Sequence, residues 1–210
     1  GAVSLDGVDL NTTTTQAGVS ILTAGALTTD NALNIGGDDL TITADSIAET
    51  GSTVITANNV ALTVTNAADL GGNNVISGSL SGSAGDLTAN NSQALDFGAI
   101  TAASLSSTVA GAVTDSGSLS ISGTTNIDTS GSNGAITLDD DGNSLMGAVT
   151  VAAGTGNVTL DNNTTDLGLV VTSGNDVTVE NAGMVDLQGT IGNDLVVTSS
   201  TGVTDSGSVS

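Results

Sequence analysis

The chain has 210 residues, 38% of them hydrophobic, and a formal net charge of -22. That charge comes from 22 acidic side chains with no Lys, Arg or His to oppose them; Cys, Pro, Trp and Tyr are also missing, and Phe97 is the one aromatic residue. Without cations the chain cannot neutralise phosphates or bind anionic bilayers, and without imidazole, thiol or aromatic ring it offers no His or Cys chemistry, no soft-metal site and no stacking platform for bases.

In chain order, Gly1-Ala2-Val3-Ser4 lacks the basic-then-apolar layout of a signal peptide. No later stretch approaches the run of about twenty apolar residues that spans a bilayer. The sequence therefore reads as a mature or excised segment with no membrane insertion. From Val19 onward, pairs of apolar residues separated by one position recur: Val19/Ile21, Leu40/Ile42, Val60/Leu62, then Leu80, Ile100, Leu119/Ile121, Ile136/Leu138, Val158/Leu160, Val177/Val179 and Leu195/Val197. Their mean step is about 20 residues, a solenoid period. A second column runs Leu27, Ile47, Ala67, Leu87, Ser107, Ile127, and a third Ile35, Ile55, Val75, Leu95. Three short alternating columns predict three short strands per turn.

Between the columns lie Gly36-Gly37-Asp38-Asp39, Ala57-Asn58-Asn59, Gly71-Gly72-Asn73-Asn74 and Gly131-Ser132-Asn133-Gly134, residues that tolerate tight corners. No spacing of three and four persists long enough for a helix. The predicted fold is all-β: a right-handed parallel β-helix of about 20 residues per coil and roughly ten coils, with branched side chains stacked in ladders. Residues 1–210 read as a single repeat array. Neither end shows a capping sequence, which predicts an array that continues or subunits that stack end to end.

Divergent echoes mark the repeat. Val113-Thr114-Asp115-Ser116-Gly117-Ser118-Leu119-Ser120-Ile121, and Gly147-Ala148-Val149-Thr150-Val151 leading into Asn157-Val158-Thr159-Leu160-Asp161-Asn162, resemble the repeat region of filamentous-haemagglutinin-type adhesins. The resemblance spans nearly the whole chain. It implies a β-helical stalk or filament on the bacterial surface, exported by two-partner secretion, whose partner is itself.

Asp139-Asp140-Asp141-Gly142-Asn143 is the densest acidic cluster, and its hard oxygens suit Ca²⁺. The spacing departs from the calcium loop, with Gly142 at position four and Thr150 at position twelve, so a solvated corner is the favoured reading. Gly36-Gly37-Asp38-Asp39 has no copy nine residues on and reads as a turn, not a calcium β-roll. The outward Thr41/Thr43, Ser81/Ser83, Ser120/Ser122 and Thr178/Glu180 positions hint at an ice-binding face, but Ala and acids interrupt it, and Thr and Ser favour exposed strand positions in any case. A carboxylate pair could cleave polysaccharide, yet the cations and rings such sites use are absent. The composition thus predicts no enzyme and no required cofactor: a structural or adhesive extracellular protein, with ice-directed or Ca²⁺-dependent binding as the alternative. Its charge must be screened by solvent cations, and it carries no trypsin site.

Overall fold

Alternation of Thr and Ser with Val, Ile and Leu gives each strand one greasy and one hydroxylated face, and such a strand is stable only when the greasy face is covered. The computed structural model describes Gly1, Val3–Ser4, residues 18–50 and residues 53–210. Ala2, from the N-terminal segment discussed above, lies outside the described residues. Among those described, every strand pairing is parallel and no helix occurs. The strands form one sheet of 13 and one of 12. Neighbours in each sheet come from successive turns of chain, so the molecule is a parallel β-solenoid of about nine turns, roughly 20 residues each.

The apolar column is the interior. Leu40, Ile42, Val60, Leu62, Leu80, Leu119, Ile121, Ile136, Leu138, Val158, Leu160, Val177 and Val179 are all buried, while their neighbours Thr41, Thr63, Ser120 and Thr178 are exposed. Phe97 fills the place after Leu80 and is wholly buried. Backbone bonds tie coil to coil: the amides of Val113, Ile136, Val158 and Val177 donate to the carbonyls of Ala135, Asn157, Asp176 and Asp194, one coil further on, at 2.8–2.9 Å. Successive rungs are about 4.8 Å apart, so each turn is held chiefly by the two that flank it.

Three strands per turn are spelled out where the corners are well defined, as in Val113–Asp115, Leu119–Ile121 and Thr125–Asp128. Elsewhere one long strand covers two of the three faces. Leu95–Ala102 pairs through its first half with Val113–Asp115 and through its second half with Leu119–Ile121.

The register corrects the columns in detail. Ile136 stacks on Val113, not on Leu119. Val113 and Leu119 are six residues apart and both point inward, so periodicity alone could not choose between them; the long Thr129–Gly134 corner lengthens that turn. In the second column the rung partner of Ile47 and of Leu87 is Ala68, and Ala67 is exposed. Leu87 continues through Leu105 to Thr125, whereas Ser107 and Ile127 belong to the row two places along. In the third, Ile55 lies on Leu33, Val75 lies on Thr56, and Leu95 belongs to the other sheet. A strict step of 20 fails because both corners and strand bulges absorb insertions, as where Leu80 and Gly82 lie opposite Phe97 and Ile100.

Candidate functional site

The acidic residues of the later coils share a face. Asp161 and Glu180 are rung partners in the pairing of Val158–Asn162 with Val177–Asn181. Leu138 lies on Leu160, so Asp139, the next residue, follows the rung of Asp161. Asp141, Asp161 and Glu180 line an open groove of about 430 Å³, together with Asn163, Ser200 and Thr198, the rung partner of Glu180. Burial, the charges of Glu180 and Asp141, and more weakly that of Asp139 raise the Asp161 carboxyl above the ordinary aspartate range. Two further hollows, sharing Asn163, Thr164 and Thr165, continue the recess along the same corner.

The three predicted calcium ligands are handled differently. The amides of Asp139 and Asp140 donate to Oδ1 and Oδ2 of Asp115 at 2.9 and 3.4 Å, which pins the loop to the preceding coil. Oδ1 of Asp140 accepts the Gly142 amide at 2.9 Å, closing a local turn. Asp139 and Asp141 are exposed. Among the described residues, no three acidic side chains are grouped so as to hold a metal ion. Gly36-Gly37-Asp38-Asp39 forms a corner in which Asp39 Oδ1 accepts from Asn58 and Asn59 of the next coil at 2.9–3.2 Å.

What the sequence reading missed lies just behind the acidic face. Asn143, Asn162 and Asn181 are buried at one corner, on three successive coils. Oδ1 of Asn143 accepts the Leu119 amide, and Oδ1 of Asn162 the Leu145 amide, both at 2.8 Å. Nδ2 of Asn162 donates to Oδ1 of Asn181 at 3.2 Å, and Nδ2 of Asn181 to the Met184 carbonyl at 2.8 Å. These amides supply partners to backbone groups that the ladder abandons where the chain turns, groups that would be costly to bury unpaired. A second such corner holds Asn74 and Asn91, whose Oδ1 atoms accept the amides of Ile55 and Ile76 at 2.6 and 2.8 Å. The clue was the repeated step of 19 from Asn143 to Asn162 to Asn181, legible in the sequence and masked by attention to apolar residues alone.

Coils, ladders and corner asparagines together define a class, the parallel β-solenoid repeat protein. Within the chain, residues 84–152 match a family model described as repeats of unknown function (DUF5649). No curated protein and no solved structure matches the sequence.

Proposed function

We propose that this chain is a structural and adhesive element: a stalk or filament segment of an extracellular bacterial surface protein of the filamentous-haemagglutinin type. Its coil is read as right-handed, the hand that parallel crossovers almost always take. The observation that carries this reading is the continuous run of parallel pairings from Val19–Leu22 to Leu195–Ser199, stacked over an interior of close-packed aliphatic side chains. Such an array is a stiff rod whose length scales with the number of turns. Its product is reach, and the reading assigns it no reaction.

The main partner is a further length of the same architecture, through continuation of the array or end-to-end stacking. The outer surface, rich in Thr, Ser and Asp with no basic side chain, supports a partner set of solvent cations and excludes phosphate polymers.

Two measurements test this. Negative-stain images of the purified protein should show rods of uniform width that lengthen into filaments with concentration. Antibody raised against it should label the outside of intact source cells. Compact round particles at every concentration, or labelling only after the cells are opened, would refute the proposal.

A further inference from the structure

Among the described residues, two carboxylates occupy inward rows of the solenoid. One is Asp115, the rung partner of Phe97, and its oxygens are fully engaged: they accept the amides of Asp139 and Asp140 and Nδ2 of Asn143, the last at 2.6 Å. The other is Glu49, which follows the buried Ile47 by two positions and so points the same way. Only one of its oxygens is engaged. Oε2 accepts the Gly72 amide at 2.7 Å and Nδ2 of Asn74 at 3.1 Å, while Oε1 is fully buried and has no hydrogen-bond partner.

Two hydroxyls in the same neighbourhood share that condition. Thr29, 1% exposed, is the rung partner of Glu49 on the preceding coil, and its Oγ1 is unpartnered. Thr53, 3% exposed, comes four positions after Glu49, and its Oγ1 is unpartnered as well. Gly72 lies against two of these residues, Glu49 and Thr53. A Cβ at that position would collide with the Thr53 carbonyl and come within 2.9 Å of Glu49 Oε2, so these two groups flank one point in space.

A buried carboxyl oxygen of Glu49 and the buried hydroxyls of Thr29, on the adjoining coil, and of Thr53 thus all lack partners, in a chain with no side-chain cation to balance a carboxylate. An unpaired buried carboxylate is strongly disfavoured. We propose that Glu49, Thr29 and Thr53 form an internal site for one monovalent hard cation of sodium size. The charge decides the class: one carboxylate balances one positive charge, whereas Ca²⁺ takes six to eight oxygens, several of them anionic. Asp69, the other acid acting on Glu49, is exposed.

The test is thermal unfolding of the full chain at pH 7, followed by far-ultraviolet circular dichroism, in sodium chloride and in tetramethylammonium chloride at matched ionic strength. The two salts screen the surface charge alike, but tetramethylammonium is too large to enter. The wild type should melt higher in sodium by about 3 °C or more, the difference growing with sodium concentration as expected of a ligand that binds the folded state. Glu49→Gln should melt at the same temperature in both salts. Thr29→Val and Thr53→Val, which keep side-chain volume, should each shrink the difference, and they carry the test should Glu49→Gln not fold. Equal melting of the wild type in both salts overturns the site. So does a Glu49→Gln protein, or a pair of valine variants, that keeps the full difference. A Glu49→Gln protein more stable than a sodium-indifferent wild type would show a protonated Glu49, which also overturns it.

Discussion

Replacing Asn162 with Ala tests whether the corner asparagines hold the turns together. The substitution removes the acceptor for the Leu145 amide, which sits in a fully buried residue. A buried backbone N–H left without a partner costs about 1–3 kcal/mol. Nδ2 of Asn162 also donates to Thr164 Oγ1 at 2.7 Å and to Asn181 Oδ1 at 3.2 Å. Losing these adds about 1 kcal/mol, because Asn181 Oδ1 keeps the Thr164 amide and is not orphaned. The total is about 2–4 kcal/mol, or a fall in melting temperature of about 5–15 °C for a chain of this size. Asn163→Ala is the matched control: its side chain is exposed, and its amide keeps the Asn143 carbonyl at 2.8 Å. That variant should stay within about 0.5 kcal/mol of wild type. Urea unfolding followed by far-ultraviolet circular dichroism reads both. If Asn162→Ala lies within 0.5 kcal/mol of Asn163→Ala, the corner amides are decoration and the reasoning fails. Asn162→Asp refines the test: it keeps an acceptor for Leu145 but gives up both donors and sets a charge beside Asp161, so it should be worse than Ala at pH 7 and recover in acid.

Other outcomes follow from the same structure. Burial first, then Glu180 and Asp141, raise the Asp161 carboxyl, and burial raises that of Asp115, so the folded chain takes up these protons at higher pH than the unfolded one. Stability should therefore rise as pH falls from neutral through the folded-state values, the gain being complete below the ordinary aspartate value of 3.8. Asp161→Asn should melt higher than wild type at pH 7 and match it at pH 3; a difference of the opposite sign at pH 7 would disprove the assignment. Gly82 has φ of +117° at a register shift in its strand, and a Cβ there would strike the Leu62 carbonyl. Gly82→Ala should cost about 2 kcal/mol or more, whereas Gly168→Ala, where a Cβ meets open space, should be near neutral in the same denaturation assay. With a net charge of -22 and no internal cation, melting temperature should climb between 0.01 and 1 M salt as the screening length shrinks from about 30 to 3 Å. A flat response in differential scanning calorimetry would contradict it.

The architecture was largely legible because burial in a solenoid repeats. Every coil must place apolar residues at matching heights, so Leu40/Ile42, Val60/Leu62, Val158/Leu160 and Val177/Val179 announce the interior without reference to any neighbour. Register was less legible. Val113 and Leu119 are equally apolar and equally inward, and only the space taken by the Thr129–Gly134 corner decides that Ile136 lies on Val113. The polar interior was hidden for a different reason. A sequence ranks Asn as a corner residue, but whether its amide faces solvent, as at Asn163, or caps a buried backbone, as at Asn162, depends on which carbonyls and amides the turn strands. The acidic face is intermediate. Asp139, Asp140 and Asp141 were conspicuous, yet two of their amides are spent on Asp115, and the carboxylates that gather do so across coils: Asp141, Asp161 and Glu180.

The central claim is that successive repeats lie directly upon one another in parallel register, and because the chain has no native Cys, paired cysteines read it cleanly. Thr159 and Thr178 are rung partners on adjacent turns, and Thr178 is in turn the partner of Val196. Thr159→Cys with Thr178→Cys should oxidise readily to an intramolecular disulfide, since neighbouring rungs fall inside the reach of about 4.4–6.8 Å that such a bond requires. Thr159→Cys with Val196→Cys, two rungs or about 10 Å apart, should not. Equal yields from the two pairs, or closure of the second alone, would contradict the stacked-coil architecture.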